Sequence, residues 1–389
     1  MSNKFLADHY TEESKQFIAM VSDLKNSREN VIDLSLGDPD IITAKSIIKD
    51  TARDAENGHT RYTHPLGDAD LRKEIINYYQ KNYGISLSMK EVMVTVGACH
   101  GTFLALASVL NSGEEVIIPT PYFTPYKEQV NLAGGKAVFF ETNFNQDFQI
   151  DTDELEKLIN SKTKAILLNS PHNPTGAVQK KENIKKIVEI AKKHDILIFS
   201  DEVYEIFDYE DDFYSLINFR DDKQRIILLN SFSKMFSMTG WRVGFTVAPS
   251  EIIKVMQEIN EGVCYSAPSI SQRAAISALK EQDKIKEKII KTFRERVYYS
   301  WKRIERNEKL ETLVPQGTFY LYVNIKKTGF SSRDFVLKLL KEEGVLTLPG
   351  EDFGDNSGEF VRIACTQKLH KMKEAFDRID HFIEKTGGE

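Results

Sequence analysis

Between residues 92 and 247 the chain repeats one pattern: a short apolar run, a loop rich in proline or small polar residues, then a stretch with helical spacing. The runs are Val92-Met93-Val94-Thr95-Val96, Val116-Ile117-Ile118, Ala165-Ile166-Leu167-Leu168, Ile196-Leu197-Ile198-Phe199, Ile226-Ile227-Leu228-Leu229 and Phe245-Thr246-Val247. Continuous apolar runs of this length, bounded by polar residues, read as strands buried on both faces. Between them, segments 102–110 and 181–194 space their apolar residues as helices do. The alternation predicts an α/β fold, a mostly parallel sheet sandwiched by helices. In that architecture ligands sit at the carboxyl ends of the strands. The residues that follow each run are therefore where chemistry is to be sought.

After residue 250 the pattern changes. Charged helical stretches at 284–291 and 295–306 precede the strand-like Phe319-Tyr320-Leu321-Tyr322-Val323 and Val361-Arg362-Ile363. A second, smaller α+β domain is expected, with residues 46–285 forming the large domain and 1–45 plus 286–389 the small one. A chain of 389 residues has material for both.

Charge excludes several partners. With 58 acidic and 52 basic residues the formal net charge is −6, so no overall field would hold nucleic acid or an anionic membrane. The lysines of segment 180–193 flank Ile184, Ile187, Val188 and Ala191 at helical spacing, which makes them a solvated helix face. The N-terminal MSNKFLADHYTEESKQF lacks the apolar core of a secretory signal, and no apolar window approaches the roughly 18 residues of a membrane span. Three scattered cysteines, Cys99, Cys264 and Cys365, fit a reducing cytoplasm, with neither a disulfide framework nor a metal cluster.

The run ending at Val96 is followed by Gly97-Ala98-Cys99-His100-Gly101, small residues that let backbone N–H groups at a helix start meet a phosphate. Taken alone, without the dinucleotide G-x-G-x-x-G pattern, the segment reads first as a plain tight turn. Val116-Ile117-Ile118 leads into Pro119-Thr120-Pro121-Tyr122-Phe123-Thr124-Pro125-Tyr126, a rigid aromatic loop suited to stacking on a planar ring or to core packing. Next come Asn169-Ser170-Pro171-His172-Asn173-Pro174-Thr175-Gly176 and Ser200-Asp201-Glu202-Val203-Tyr204. A carboxylate such as Asp201 at the end of a buried strand is costly unless a cation or good donors meet it. The last run exits through Ser231-Phe232-Ser233-Lys234, with Arg242 eight residues on. A lysine amine, an acidic partner and an anion cradle together fit a cofactor with an aldehyde, a basic ring nitrogen and a phosphate. Pyridoxal phosphate has all three.

The ordered set HNPTG (172–176), SDEVY (200–204), SFSK (231–234) and GWRVGF (240–245), with DLSLGDPD (33–40) and RYTHPLG (61–67) upstream, resembles the class I/II aminotransferases of the fold-type I pyridoxal-phosphate enzymes. The resemblance extends over almost the whole chain, to Arg362. It implies that Lys234 holds pyridoxal 5′-phosphate as a Schiff base and serves as the catalytic base and acid. Asp201 would pair with the ring nitrogen, Asn173 and Tyr204 would hydrogen-bond the ring oxygen, and Phe123, rather than Tyr122, would stack on the ring. Ser231, Ser233, Arg242 and the backbone of Ala98 and Cys99 would hold the phosphate. Arg362 would grip the substrate α-carboxylate, with Gly37 and Asn173 beside it. Tyr62 would reach the phosphate of a neighbouring subunit, which implies a homodimer.

The implied activity is transfer of an amino group from an L-amino acid to a 2-oxo acid, 2-oxoglutarate or pyruvate, with ping-pong kinetics. A carbon–sulfur β-lyase of the same fold is the alternative, because Ser170-Pro171-His172-Asn173 resembles the loop of such lyases. Segments 201–204 and 238–245 look more like aminotransferases, particularly aspartate-type ones. A non-catalytic ligand-binding module is disfavoured because every expected catalytic position is filled. Many relatives have a lysine-containing turn where this chain has Cys99-His100, so aspartate, aromatic and other neutral donors stay open; His100 is read as a helix-start residue.

Overall fold

The six apolar runs become six of the seven strands of one sheet. A computed structural model of the chain describes residues 13–219 and 224–386; residues 1–12 and 387–389, the outer ends of the expected small domain and most of the N-terminal stretch read above, lie outside the described residues. From edge to edge the sheet runs Val92–Thr95, Gly244–Val247, Ile226–Ser231, Leu197–Asp201, Thr163–Asn169, Glu115–Thr120 and Lys136–Glu141. All neighbours are parallel except Gly244–Val247, which is antiparallel to both of its own. The register sets Asn169 beside Asp201 and Asp201 beside Leu229, so three strand tails end at one level. That level is where the functional residues gather.

Period-two alternation divides the strand side chains between two faces. Val116, Ile118, Ile227 and Leu229 pack with Leu104 and Leu106 of the helix Gly97–Val109 and with Ile253 and Met256 of Ser250–Val263. Ile117, Ile166 and Ile226 pack on the opposite face with Ile184, Ile187 and Val188 of Lys181–Lys193. That last helix buries its apolar stripe and exposes its lysines, as its spacing predicts. Strand Lys136–Glu141 was not among the expected runs; it lies at the sheet edge and stays half-exposed, so it lacks the continuous apolar signal of the inner strands.

Beyond the sheet, Tyr320–Asn324, Phe360–Ala364 and Leu348–Pro349 form a three-stranded antiparallel sheet, and Ile32–Asp33 pairs in parallel with Val345–Leu346. The two charged stretches expected at 284–291 and 295–306 are one helix, Gln282–Glu305, which buries Ile285, Ile289, Phe293 and Val297 at four-residue spacing. Phe293 meets Phe207 and Phe319 with ring centroids 5.1 to 5.6 Å apart. Buried edge and tilted aromatic pairs add roughly 0.5–1.5 kcal/mol each beyond their area. This triad ties the long helix, the turn after Asp201 and the start of the small sheet together. Among the described residues no helix is long and apolar enough to cross a membrane.

Candidate active site

Strand Ile226–Ser231 is buried along its whole length and ends in a cap: the Ser231 hydroxyl accepts the Ser233 N–H at 3.1 Å and opens the short helix Phe232–Met235. That turn carries Lys234 into a cavity at the strand tails. Its Nζ donates to the Gly37 carbonyl and has no carboxylate partner among the described residues.

On the neighbouring strand Asp201 is 6% exposed. Its carboxylate accepts the Tyr126 hydroxyl at 2.6 Å and the Val203 N–H at 3.1 Å. Burial still pushes its carboxyl up to about 6, against the pull of those two donors. One strand further, Asn169 donates to the Asp201 carbonyl at 2.9 Å and accepts the Asn173 N–H at 2.8 Å, bracing the 172–176 loop. His172 sits in that loop against the Thr175 hydroxyl at 2.7 Å, and burial lowers its pKa to about 4.

The end of the cavity expected to take the anion lies at the start of the helix Gly97–Val109, which begins five residues before the expected 102. Gly97 has φ +76°, and a Cβ there would come within 2.7 Å of Arg242 Nη2, so the glycine both makes the turn and admits the guanidinium. Ala98 and Cys99 thus fall in the first turn, where backbone N–H groups have no helical acceptor. Ser231 and Ser233, their hydroxyls 2.8 Å apart, and Arg242, held by the Thr239 carbonyl at 2.7 Å, line the same cavity. His100 accepts the Val96 N–H at 3.1 Å across the helix start, which accounts for it structurally.

Arg362 reaches the site from strand Phe360–Ala364. It is 5% exposed, donates to Asn173 Oδ1 at 2.9 Å and the Ser35 carbonyl at 2.6 Å, and leaves Nε without a partner. With its carbonyl oxygen committed to Arg362, the Asn173 amide nitrogen is the group left for a ligand. Tyr204, buried, meets the Tyr320 hydroxyl at 3.0 Å.

Ala98, Cys99, Phe123, Asn173, Asp201, Tyr204, Ser231, Ser233, Lys234 and Arg242 therefore line one cavity, with Arg362 bonded to its Asn173 and Gly37 to its Lys234. Tyr122 instead stacks on Phe139, centroids 5.0 Å apart. Tyr62 does not line the cavity: it is 86% exposed and packs edge-on against Tyr265. Tyr126, Asn169, Thr102 and Thr239 also line it and were not singled out. Asn169 was within reach of the strand-tail rule, and Tyr126 lies three residues past Phe123 in the same aromatic loop, at the start of the helix Pro125–Leu132.

The charges do not balance. Lys234, Arg242 and Arg362 have no carboxylate partner and Asp201 no cation among the described residues, although Asp201 and Arg362 are buried. Buried charges left this way cost several kcal/mol unless a ligand of complementary charge completes them. No group of His, Cys, Asp or Glu able to hold a metal stands among the described residues.

The family model for aminotransferase class I and II matches residues 29–379. The chain belongs to this family. It is 38% identical to an aspartate aminotransferase of Pyrococcus horikoshii over 98% of this chain and 97% of that one. It is 36% identical to aromatic-amino-acid aminotransferase 2 of Thermococcus litoralis, over 98% of each. The solved aspartate aminotransferase of Thermotoga maritima superposes with TM-score 0.91 at 32% identity, covering 98% of this chain and all of that one (100%). The fold is thus that of fold-type I aminotransferases, the chain is an aminotransferase, and its cofactor is pyridoxal phosphate. The residues present fit that group: a lysine amine without a carboxylate partner among the described residues, a buried carboxylate for the ring nitrogen, and a helix start, two serines and Arg242 for the phosphate.

Proposed function

We propose that the chain moves an amino group from an L-amino acid to a 2-oxo acid, 2-oxoglutarate or pyruvate, in two half-reactions that share one site. The observation that carries this reading is the set of three cations and one buried carboxylate, without oppositely charged partners among the described residues, around one cavity. Two negative groups, a phosphate and an α-carboxylate, and one positive ring nitrogen complete it.

Bound there, pyridoxal phosphate supplies an aldehyde that joins to amines and a ring that accepts the electron pair left when the Cα–H bond breaks. Lys234 holds the cofactor and, once freed, takes the proton from the donor's Cα. Asp201 keeps the ring nitrogen protonated, because an adjacent anion stabilises that cation. Asn173 and Tyr204 would donate to the ring oxygen, and Phe123 would cover the ring. Ser231, Ser233, Arg242 and the Ala98 and Cys99 amides hold the phosphate. Arg362 binds the α-carboxylate as a planar fork, with Gly37 alongside.

Lys234 and Arg242 are the cations among the described lining residues, and both are committed to the cofactor. A side-chain carboxylate on the donor would need a cation from outside this set, such as one brought by a second copy of the chain, so aspartate, aromatic and other neutral donors all stay open. In this proposal residues 46–285 hold the cofactor, and 1–45 with 286–389 bring Arg362 and Gly37. The protein works in the cytoplasm as a homodimer in which exposed Tyr62 reaches the neighbouring site.

Initial rates with donor and acceptor varied together test the scheme. Parallel double-reciprocal lines are expected; intersecting lines would count against it. Lys234→Ala should lose the cofactor's characteristic visible absorption and turnover by about 10³-fold or more.

A further inference from the structure

Tyr320 stands at the start of strand Tyr320–Asn324 and is 3% exposed. Three contacts meet on this one side chain. Its hydroxyl is 3.0 Å from the Tyr204 hydroxyl. Its ring lies 4.3 Å from the Arg362 guanidinium carbon, whose second aromatic neighbour is Phe353 at 4.8 Å. Its hydroxyl also occupies the space a Cβ on Gly37 would need, so the backbone at Gly37, whose carbonyl accepts from Lys234, is packed against it.

We propose that Tyr320 is a positioning residue for the transamination, its ring face carrying the Arg362 guanidinium while its hydroxyl orients Tyr204. The fork for the substrate carboxylate and the phenol that meets the cofactor ring are thereby held as one unit. This inference rests on the roles given to Arg362 and Tyr204 under the proposed function. The chemistry is direct. When Tyr320 donates to the Tyr204 oxygen, the Tyr204 proton is left for the ring oxygen, and a hydroxyl that accepts one hydrogen bond donates a stronger one. An arginine stacked on an aromatic face keeps its N–H edge free for bidentate contacts while its apolar faces stay covered. The charged and titratable groups facing the tyrosine pair are Arg362 from the small sheet and Asp201 from the large one, with Lys234 across from Gly37.

Two variants of the cofactor-loaded enzyme separate the two contacts. Tyr320→Phe keeps the ring and removes the hydroxyl. The pH midpoint of the visible band should rise by about half a unit or more, because the ring oxygen loses part of the donation that favours its anionic form. The donor KM should stay within about two-fold. Tyr320→Leu keeps apolar bulk and removes the aromatic face, and the donor KM should rise about 5- to 30-fold. A Phe variant with the parent's midpoint, or a Leu variant with the parent's KM, overturns the proposal. A Leu variant that merely melts earlier assigns Tyr320 to packing and overturns it as well. Failure of the parent enzyme to change its visible band with any amino acid would instead overturn the underlying functional reading, independently of either variant.

Discussion

Asp201 carries a carboxyl raised to about 6 by burial, with the Tyr126 hydroxyl at 2.6 Å and the Val203 N–H pulling it back down. Removing one of those donors leaves the same desolvation with less to oppose it. Tyr126→Phe should therefore raise the Asp201 carboxyl further and move the acid limb of the kcat profile up by about one pH unit. Cofactor affinity should fall about ten-fold, since one charge-assisted bond that orients the carboxylate is gone. Superimposable pH profiles for parent and variant would show that Tyr126 merely fills space. Asp201, Lys234 and Asn173 were legible because each ends or follows a buried run where a polar group needs a reason. Tyr320 was not, because its partner Tyr204 is 116 residues away and only the packing of the small sheet brings them together. Arg362 lay in a strand-like run, and its role rested on resemblance until burial without a carboxylate partner gave it a physical basis.

The helix start at Gly97 is the element on which the proposed phosphate site depends. Gly97→Ala would place a Cβ at φ +76°, a conformation that costs an L-residue about 1–2 kcal/mol, and would crowd Arg242 Nη2. Melting should drop by several degrees, and cofactor affinity, followed by titration with pyridoxal phosphate, should fall about ten-fold as the guanidinium is displaced. Unchanged affinity would remove the Gly97–Arg242 contact from the phosphate site. Element boundaries were less legible than element types. Gly97-Ala98-Cys99 looked like a turn because small residues carry no apolar spacing, yet they form the first helical turn. The stretch 284–306 looked like two helices because charged residues dominate its exposed face, while the buried stripe Ile285, Ile289, Phe293 and Val297 runs through unbroken. The parallel character of the sheet followed from alternation, but strand order did not, since nothing local states which strands pair.

At the scale of the whole molecule, Glu202, next in the chain to Asp201 and 1% exposed, is a buried carboxylate to which the proposed chemistry gives no role. The Ser200 hydroxyl, the Ser215 hydroxyl and the Leu216 N–H donate to it at 2.8, 2.6 and 2.9 Å, yet burial, reinforced by the charge of Glu205, pushes its carboxyl up to about 8 from the ordinary 4.5. The folded chain therefore holds this proton more tightly than the unfolded one. Its contribution to stability is complete below about pH 4.5 and is lost as pH rises through about 8. The cofactor-free protein should melt progressively earlier between those limits, and Glu202→Gln should flatten that decline; a variant with the parent's slope would place the pH dependence elsewhere. The central claim, that one cavity runs two half-reactions of transamination, is tested most directly by adding single amino acids to the cofactor-loaded protein without an acceptor and following its visible absorption. Stoichiometric loss of the band, restored by a 2-oxo acid, is the predicted result. A band that persists while ammonia and pyruvate are released continuously would contradict it and make the chain a β-lyase.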